Sequence, residues 1–235
     1  GNWRNSKEHT FMLMAKSCHD IDYIASLTDE ACLRVSSFGS LAHFRPDQAP
    51  QGAADRCVVC PLEPTCKYSA LRLYVDTNRF SWPACVCAHD HSREAHYQAI
   101  TNGPYGRCVW HCDNDVVDHQ VVAMEFGNEI TATFTMTAFT LHGGRQIRAH
   151  GTEGEAIYKG DIVVREFASG NEETIHVAHE TGGHGGGDER VMRDWLRAIR
   201  ANDPGLVRTS VHESLRTHRI VFAAEKARNE RRVVE

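Results

Sequence analysis

The chain reads as an α+β fold: an open, mostly antiparallel β-sheet with helices packed on one face. Three features of the sequence predict it. An amphipathic stretch opens the chain, a run of short alternating segments follows between residues 107 and 179, and two helix-period stretches close it. Consecutive strands on short turns pair antiparallel, whereas parallel pairing needs long crossovers, and no βαβ alternation occurs.

Phe11 to Leu27 has helical periodicity, with Met12, Ala15, His19 and Tyr23 on one stripe and Leu13, Cys18, Ile21 and Ile24 beside it. Thr10 is placed to cap it. Cys32 to Leu41 alternates as a strand. Residues 44–66 carry four prolines and three cysteines and predict an irregular excursion. Short helices are expected over Lys67–Val75 and Ser92–Ile100. Strands are then expected over Arg107–Cys112, Asp118–Phe126, Glu129–Phe139, Gln146–Gly151, Glu155–Tyr158, Asp161–Phe167 and Glu173–His179. Gly127-Asn128, Gly151–Gly154 and Gly160-Asp161 suit hairpin turns. Asp188 is placed to cap a helix over Glu189–Ala201. Ser210-Val-His-Glu213 is a capping box opening a helix to about Glu230.

The 235 residues suit one large domain or two small ones. A net charge of −5 argues against a nucleic-acid partner, which calls for clustered Lys and Arg. No apolar run reaches the roughly 18–20 residues that span a bilayer, and no secretory signal opens the chain. A cytoplasmic protein is expected, with its nine cysteines mostly reduced. The chain begins at Gly1 rather than at Met, and Trp3 follows at once. That reads as a domain cut from something longer.

Four constellations can carry chemistry. Lys16 and His19 lie one helical turn apart, and Asp22 continues the row at the next i+3 step. The Lys cation favours neutral imidazole and Asp22 can orient the ring, which makes a proton-handling site. Asp20 falls on another face and reads as solvated. An ordinary amphipathic helix is the bland alternative. Cys57-x2-Cys60-x5-Cys66 supplies three thiolates of a tetrahedral structural zinc site, the fourth ligand being left open; reduced thiols or a loop disulfide are the alternatives. Asp113-Asn-Asp-Val-Val-Asp-His119 matches no calcium loop and reads as a turn with Asx caps. Trp3, Arg4 and Asn5 combine an aromatic face, a bidentate donor and an amide, a set suited to a sugar or carboxylate. Gly182–Gly187 lacks a phosphate-binding Lys and reads as a turn into a helix.

Taken in order, these segments resemble the C-terminal domain of the glucose–fructose oxidoreductase/inositol dehydrogenase/MocA family. Gly1-Asn-Trp-Arg-Asn5 leads into Met12-Leu-Met-Ala-Lys-Ser-Cys-His-Asp-Ile-Asp22. Ser36-Ser-Phe-Gly-Ser-Leu41, Cys66-Lys-Tyr-Ser-Ala70, the Tyr105–His119 segment, Gly182-Gly-His-Gly-Gly-Gly-Asp188 and Phe222-Ala-Ala-Glu-Lys-Ala-Arg228 follow. The resemblance runs from residue 1 to residue 235. It implies a single C-terminal substrate-binding and oligomerisation domain whose N-terminal Rossmann partner, with its glycine motif and Glu-Lys-Pro lysine, lies outside this chain. The family's leading helix bears Asp-x-Gly-x-His-x-x-Asp. His19 and Asp22 match its last two positions, while Ala15 and Ser17 stand where the acid and the glycine are expected.

The resemblance therefore implies half of an NAD- or NADP-dependent oxidoreductase acting on a sugar, polyol or related compound. His19, Lys16 and Asp22 are the expected catalytic residues, and Trp3, Arg4 and Asn5 the substrate contacts. Its partners are expected to be a small-molecule substrate, its own Rossmann domain, and further copies through the open sheet face. The alternative is a non-catalytic sugar-binding or oligomerisation module that retains the fold. A metal-dependent hydrolase lacks the His-x-x-x-His pair it requires.

Overall fold

Leu13, Ser17, Ile21 and Ala25 recur at i+4 and are the buried row of the first helix, α1 (Met12–Thr28). The computed structural model describes residues 2–77, 81–141, 144–177, 183–207 and 209–235. The buried row is displaced from the stripe expected at Met12, Ala15, His19 and Tyr23, because His19 and Tyr23 face outward. Phe11 rather than Thr10 holds the N-cap position, without a side-chain cap. Asp29 ends the helix in the left-handed region, its amide bonding Ala25 O.

The chain divides into two compact units: Gly1–Phe139 with Leu215–Glu235, and Thr140–Ser214. In the first, β1 (Cys32–Ser40), β2 (His119–Phe126) and β3 (Thr131–Thr137) form an antiparallel sheet in the order β1-β2-β3. The closing helix α5 (Val211–Glu230) supplies Ile220, Val221 and Ala224 to the core. These meet Leu13, Ile21 and Ala25 of α1 and the inward row Val35, Val122, Met124 and Phe126 of the sheet. Full burial of each large aliphatic side chain contributes about 1.5–3 kcal/mol, so this layer carries the unit. Val234 bridges Val35 with two 2.9 Å hydrogen bonds, returning the chain end to the sheet. Asn128 and Glu129, at φ 54° and 59°, turn the β2–β3 hairpin where Gly127-Asn128 predicted it.

Between β1 and β2 lies the irregular excursion. It holds α2 (Ala70–Tyr74) and α3 (Arg93–Asn102), packed around Ala70, Val75 and Ile100. The side chain of Ser92 caps α3. The strand expected over Arg107–Cys112 does not form. Arg107 makes an isolated bridge to Arg56, and the residues after Cys108 turn away as Trp110 packs against Tyr68 and His43. Gly106 is obligatory, because a Cβ there would lie 1.7 Å from Ile100 O.

The second unit holds β4 (Ile147–His150), β5 (Gly154–Tyr158), β6 (Ile162–Glu166) and β7 (Glu172–Ile175), an antiparallel meander in that order. The described strands thus form two sheets rather than one. Described residues 138–141 and 144–146 lie in no strand and break the ladder after β3. His179, the expected end of the last strand, lies outside the described residues. Helix α4 (Gly187–Ala201) starts from Gly186 at φ 85°, not from an Asp188 cap; Asp188 instead meets His184 Nδ1 at 2.8 Å. The Ser210 hydroxyl accepts the Glu213 amide as the capping box predicts. Among the described residues no helix is long and apolar enough to cross a membrane.

Candidate functional site

The outward face of α1 follows directly from burial of its Leu13–Ile21 row, which leaves Lys16 and His19 in water one turn apart. A short helical turn, Asn2–Arg4, precedes α1 and sets Trp3 beside it. The Lys16 ammonium lies 5.3 Å from the centre of the Trp3 ring, a cation–π contact contributing about 0.5–1 kcal/mol at an exposed position. No carboxylate pairs with Lys16 among the described residues. His19 Nε2 lies 3.6 Å from Asp20 Oδ2. The carboxylate beside the imidazole is therefore Asp20, expected to be solvated, and not Asp22. Asp20 is the more buried partner of the two, at 19% side-chain exposure against 53% for His19. Asp22 remains half-buried on the same helix and makes no such contact.

Arg4 and Asn5 meet a different fate from Trp3. The Asp113 carboxylate receives Arg4 Nε at 3.1 Å and Arg107 at 2.8 Å, and Arg4 also pairs with Glu8 at 3.3 Å. Asn5 Nδ2 donates to Asp113 O at 2.7 Å, while its Oδ1 accepts the amides of Lys7 and Glu8. Asp113's own backbone amide, with Arg4 and Arg107, holds its carboxyl below the usual range. Asp115 accepts both the amide and the hydroxyl of Ser6. These bonds tie the Asp113–Asp115 stretch to the chain's first residues: its carboxylates accept from Arg4, Arg107 and Ser6 and do not cap a local Asx turn, which corrects the sequence reading. They also take Arg4 and Asn5 out of the expected trio, so the structure does not bring Trp3, Arg4 and Asn5 into one open set.

Sequence reasoning missed two features. Asp118 is almost wholly buried. Its Oδ2 accepts the amides of Ala42, His43 and Phe44 at 3.0, 2.7 and 3.4 Å, and its Oδ1 meets His119 Nδ1 at 2.8 Å. Burial pushes its pKa up, but those donors outweigh it and the net shift is downward. The second feature is a cavity of about 280 Å³ whose wall includes Phe44, Tyr68, Tyr74, Tyr105, Arg4 and Arg107. Its lining is drawn from residues 4 to 138, and no local motif announces it.

The cysteine trio does not assemble into a ligand set. Among the described residues, no group of three or more His, Cys, Asp and Glu side chains is arranged to hold a metal ion. Cys57, Cys60 and Cys66 are free thiols in short turns. Burial pushes the Cys57 thiol up, with the Ala70 amide opposing it and the neighbouring Cys66, Cys108 and Cys60 adding to it. A protonated, part-buried thiol packing beside Ala70 and Ile100 accounts for Cys57 without a metal. The zinc expectation is corrected accordingly.

Residues 1–235 match a family model described as the oxidoreductase family, C-terminal alpha/beta domain. No curated protein matches the chain. Among solved structures, an oxidoreductase domain protein from Kribbella flavida is similar at TM-score 0.60 and 15% identity, over 98% of this chain and 53% of its own. An oxidoreductase from Agrobacterium radiobacter, solved with NAD+, L-tartaric acid and magnesium, is similar at TM-score 0.56 and 11% identity, over 96% and 49%. UDP-N-acetylglucosamine 3-dehydrogenase from Acidithiobacillus ferrooxidans is similar at TM-score 0.53 and 12% identity, over 92% and 46%. The chain spans about half the length of these structures. At such identity they establish the fold alone.

Proposed function

Because this chain belongs to the oxidoreductase family whose C-terminal α/β domain it matches throughout, we propose that it is the substrate-side half of an NAD- or NADP-dependent oxidoreductase acting on a sugar, polyol or related hydroxyl compound. The observation that carries the reading is the exposed row Lys16–His19 on α1, with Asp20 beside the imidazole. Among the described residues no glycine loop opens a βαβ unit, which supports placing the dinucleotide on a segment outside this chain. When bound, the nicotinamide supplies the hydride acceptor.

The work of this chain's residues is then positional and protic. His19 accepts the proton of the reacting hydroxyl at its imidazole nitrogen, and the Asp20 carboxylate stabilises the cation that forms. Lys16, steadied on the Trp3 ring, donates to a substrate oxygen next to the reacting carbon. Asp22, one turn beyond His19, contributes a second carboxylate to the same end of the face. The outer face of the three-stranded sheet, where Phe38 is 74% exposed, is the proposed contact between copies of the protein. Light scattering of a Phe38→Asp variant tests that contact, with dissociation as the expected result.

The test of the reading is turnover by the full-length gene product with NAD+ or NADP+ and a panel of sugars and polyols. Reduction of the cofactor that disappears in His19→Asn supports it; absence of any cofactor-linked turnover refutes it. The chain alone is expected not to bind NADH at micromolar concentration by calorimetry. Ala15, standing where the family has an acid, favours a second reading: a module that keeps the fold without catalysis. Binding of a sugar from the panel without turnover selects that reading.

A further inference from the structure

The cavity beside Phe44 lies wholly within the first compact unit, and its wall has an unusual polar economy. Each charged group on it is engaged within the protein. Arg4 and Arg107 share the Asp113 carboxylate. Asp118 is taken by three backbone amides and His119. The Asn114 amide donates to Phe44 O at 2.7 Å and Val109 O at 2.8 Å. What remains are the Cys112 thiol, the Asn114 side-chain oxygen and the hydroxyls of Tyr68, Tyr74 and Tyr105; none of the three hydroxyls is hydrogen-bonded among the described residues. Apolar Leu41, Leu73, Val109, Val116 and Val117 complete the wall.

From this we infer that the cavity is a binding site for an uncharged aromatic ring bearing one or two oxygen acceptors. A charged ligand would enter an apolar space whose charged groups are already paired with one another, at a desolvation cost. A hydrocarbon would leave the tyrosine hydroxyls unmatched, and an aliphatic alcohol would forgo the ring-to-ring contacts. An aromatic ring packs edge-on or offset against Phe44, Tyr68, Tyr74 and Tyr105, the geometry these rings already adopt with one another at 5.3–5.7 Å. Phenolic donors on the wall meet an ether, carbonyl or hydroxyl oxygen on the ligand. Burial raises the pKa of Tyr74 and Tyr105, so both stay protonated donors. A volume near 280 Å³ admits a bicyclic ring and excludes a dinucleotide.

The site is independent of the redox reading, and its test reads binding alone. The intact chain is titrated with 2-naphthol, with 2-naphthoate and with cyclohexanol, followed by ligand-observed NMR and calorimetry. Saturable one-to-one binding of 2-naphthol is expected, at least about tenfold tighter than that of the other two probes. Leu73, 45% exposed, tolerates enlargement at the rim, and Leu73→Trp is expected to weaken 2-naphthol binding at least about fivefold. Tyr105→Phe keeps the ring and removes one donor, with a loss of roughly threefold to tenfold. Thermal melts confirm that both variants fold. Absence of saturable binding, equal affinity for 2-naphthoate, or wild-type affinity in Leu73→Trp each overturns the assignment.

Discussion

Arg4 and Lys16 are cations on successive segments of the same compact unit, and the structure treats them oppositely. Arg4 is tied to Asp113 and Glu8 and belongs to a clamp that holds the Asp113–Asp115 stretch against the chain's first residues. Lys16 leans on Trp3 with no carboxylate partner among the described residues, one turn from an exposed imidazole. Asp118 and His19 differ in the same way: one is saturated with backbone donors, the other is an exposed imidazole beside Asp20. The lesson is that residue type does not separate scaffold from site. Satisfaction does: groups whose hydrogen-bonding capacity is spent internally hold shape, and groups that keep capacity facing outward are available for chemistry.

The scaffold side of this contrast breaks most visibly at Asp118. Asp118→Ala leaves three backbone amides and His119 without their acceptor, and hydrogen bonds to a charged group are each worth about 1.5–3 kcal/mol. A stability loss of about 3 kcal/mol is expected in denaturant titration. The pH dependence follows from the sign of the shift. Its folded pKa lies below the ordinary 3.8, so the stabilisation is present above that value and is lost as pH falls through the lower folded pKa. Asp118→Asn should therefore flatten the wild type's loss of stability below about pH 4. An unchanged acid limb would remove Asp118 from the groups that hold the scaffold.

His19 is the counterpart on the open face, and it should cost activity in place of stability. His19→Asn in the full-length protein is expected to lower kcat roughly a hundredfold or more, the usual share of a positioned acid–base group. Its melting temperature should stay within about a degree or two of wild type, because an exposed side chain contributes little to stability. A His19 variant that melts early with normal kcat would move this residue to the scaffold side.

Lys16 is the smaller effect on the same face. Lys16→Met keeps the stem on Trp3 and removes the ammonium, so the expected change is about a tenfold rise in KM with little change in the melt. Lys16→Arg should recover most of it. A fall in kcat at constant KM would instead place Lys16 at the reacting atoms.

Much of the architecture is legible in the sequence because it is local. β1 needs only the alternation of Cys32–Ser40, and the β2–β3 hairpin needs only Gly127-Asn128. The Arg107–Cys112 strand failed because alternation there serves a turn that buries Trp110 among distant rings, which no window of neighbours reveals. The break between the two sheets is likewise a property of pairing, not of propensity. On α1, the i+3 rule placed Lys16 and His19 correctly on one face but chose Asp22 over Asp20. Adjacent residues on a helix do not share a face by spacing, yet the His19 ring reaches back to the neighbouring carboxylate. Arg4 and Asn5 could not be sorted from Trp3 without seeing Asp113, more than a hundred residues away.

The cysteines provide the last and smallest expected effect, because they test the contrast where the sequence is most suggestive of a site. A C-x2-C pair followed by a third thiol invites a metal, and a structural zinc would make chelation destabilising by several kcal/mol. The thiols instead sit in short turns with no arrangement able to hold an ion among the described residues, and burial keeps Cys57 protonated. Cys87 is pushed further still, to about 11, chiefly by burial, so it too offers no thiolate near neutral pH. Overnight treatment with a chelator should therefore leave the melting temperature unchanged, and elemental analysis should find zinc far below one equivalent. Stoichiometric zinc that leaves with a loss of stability would return Cys57, Cys60 and Cys66 to the group of residues that hold a ligand.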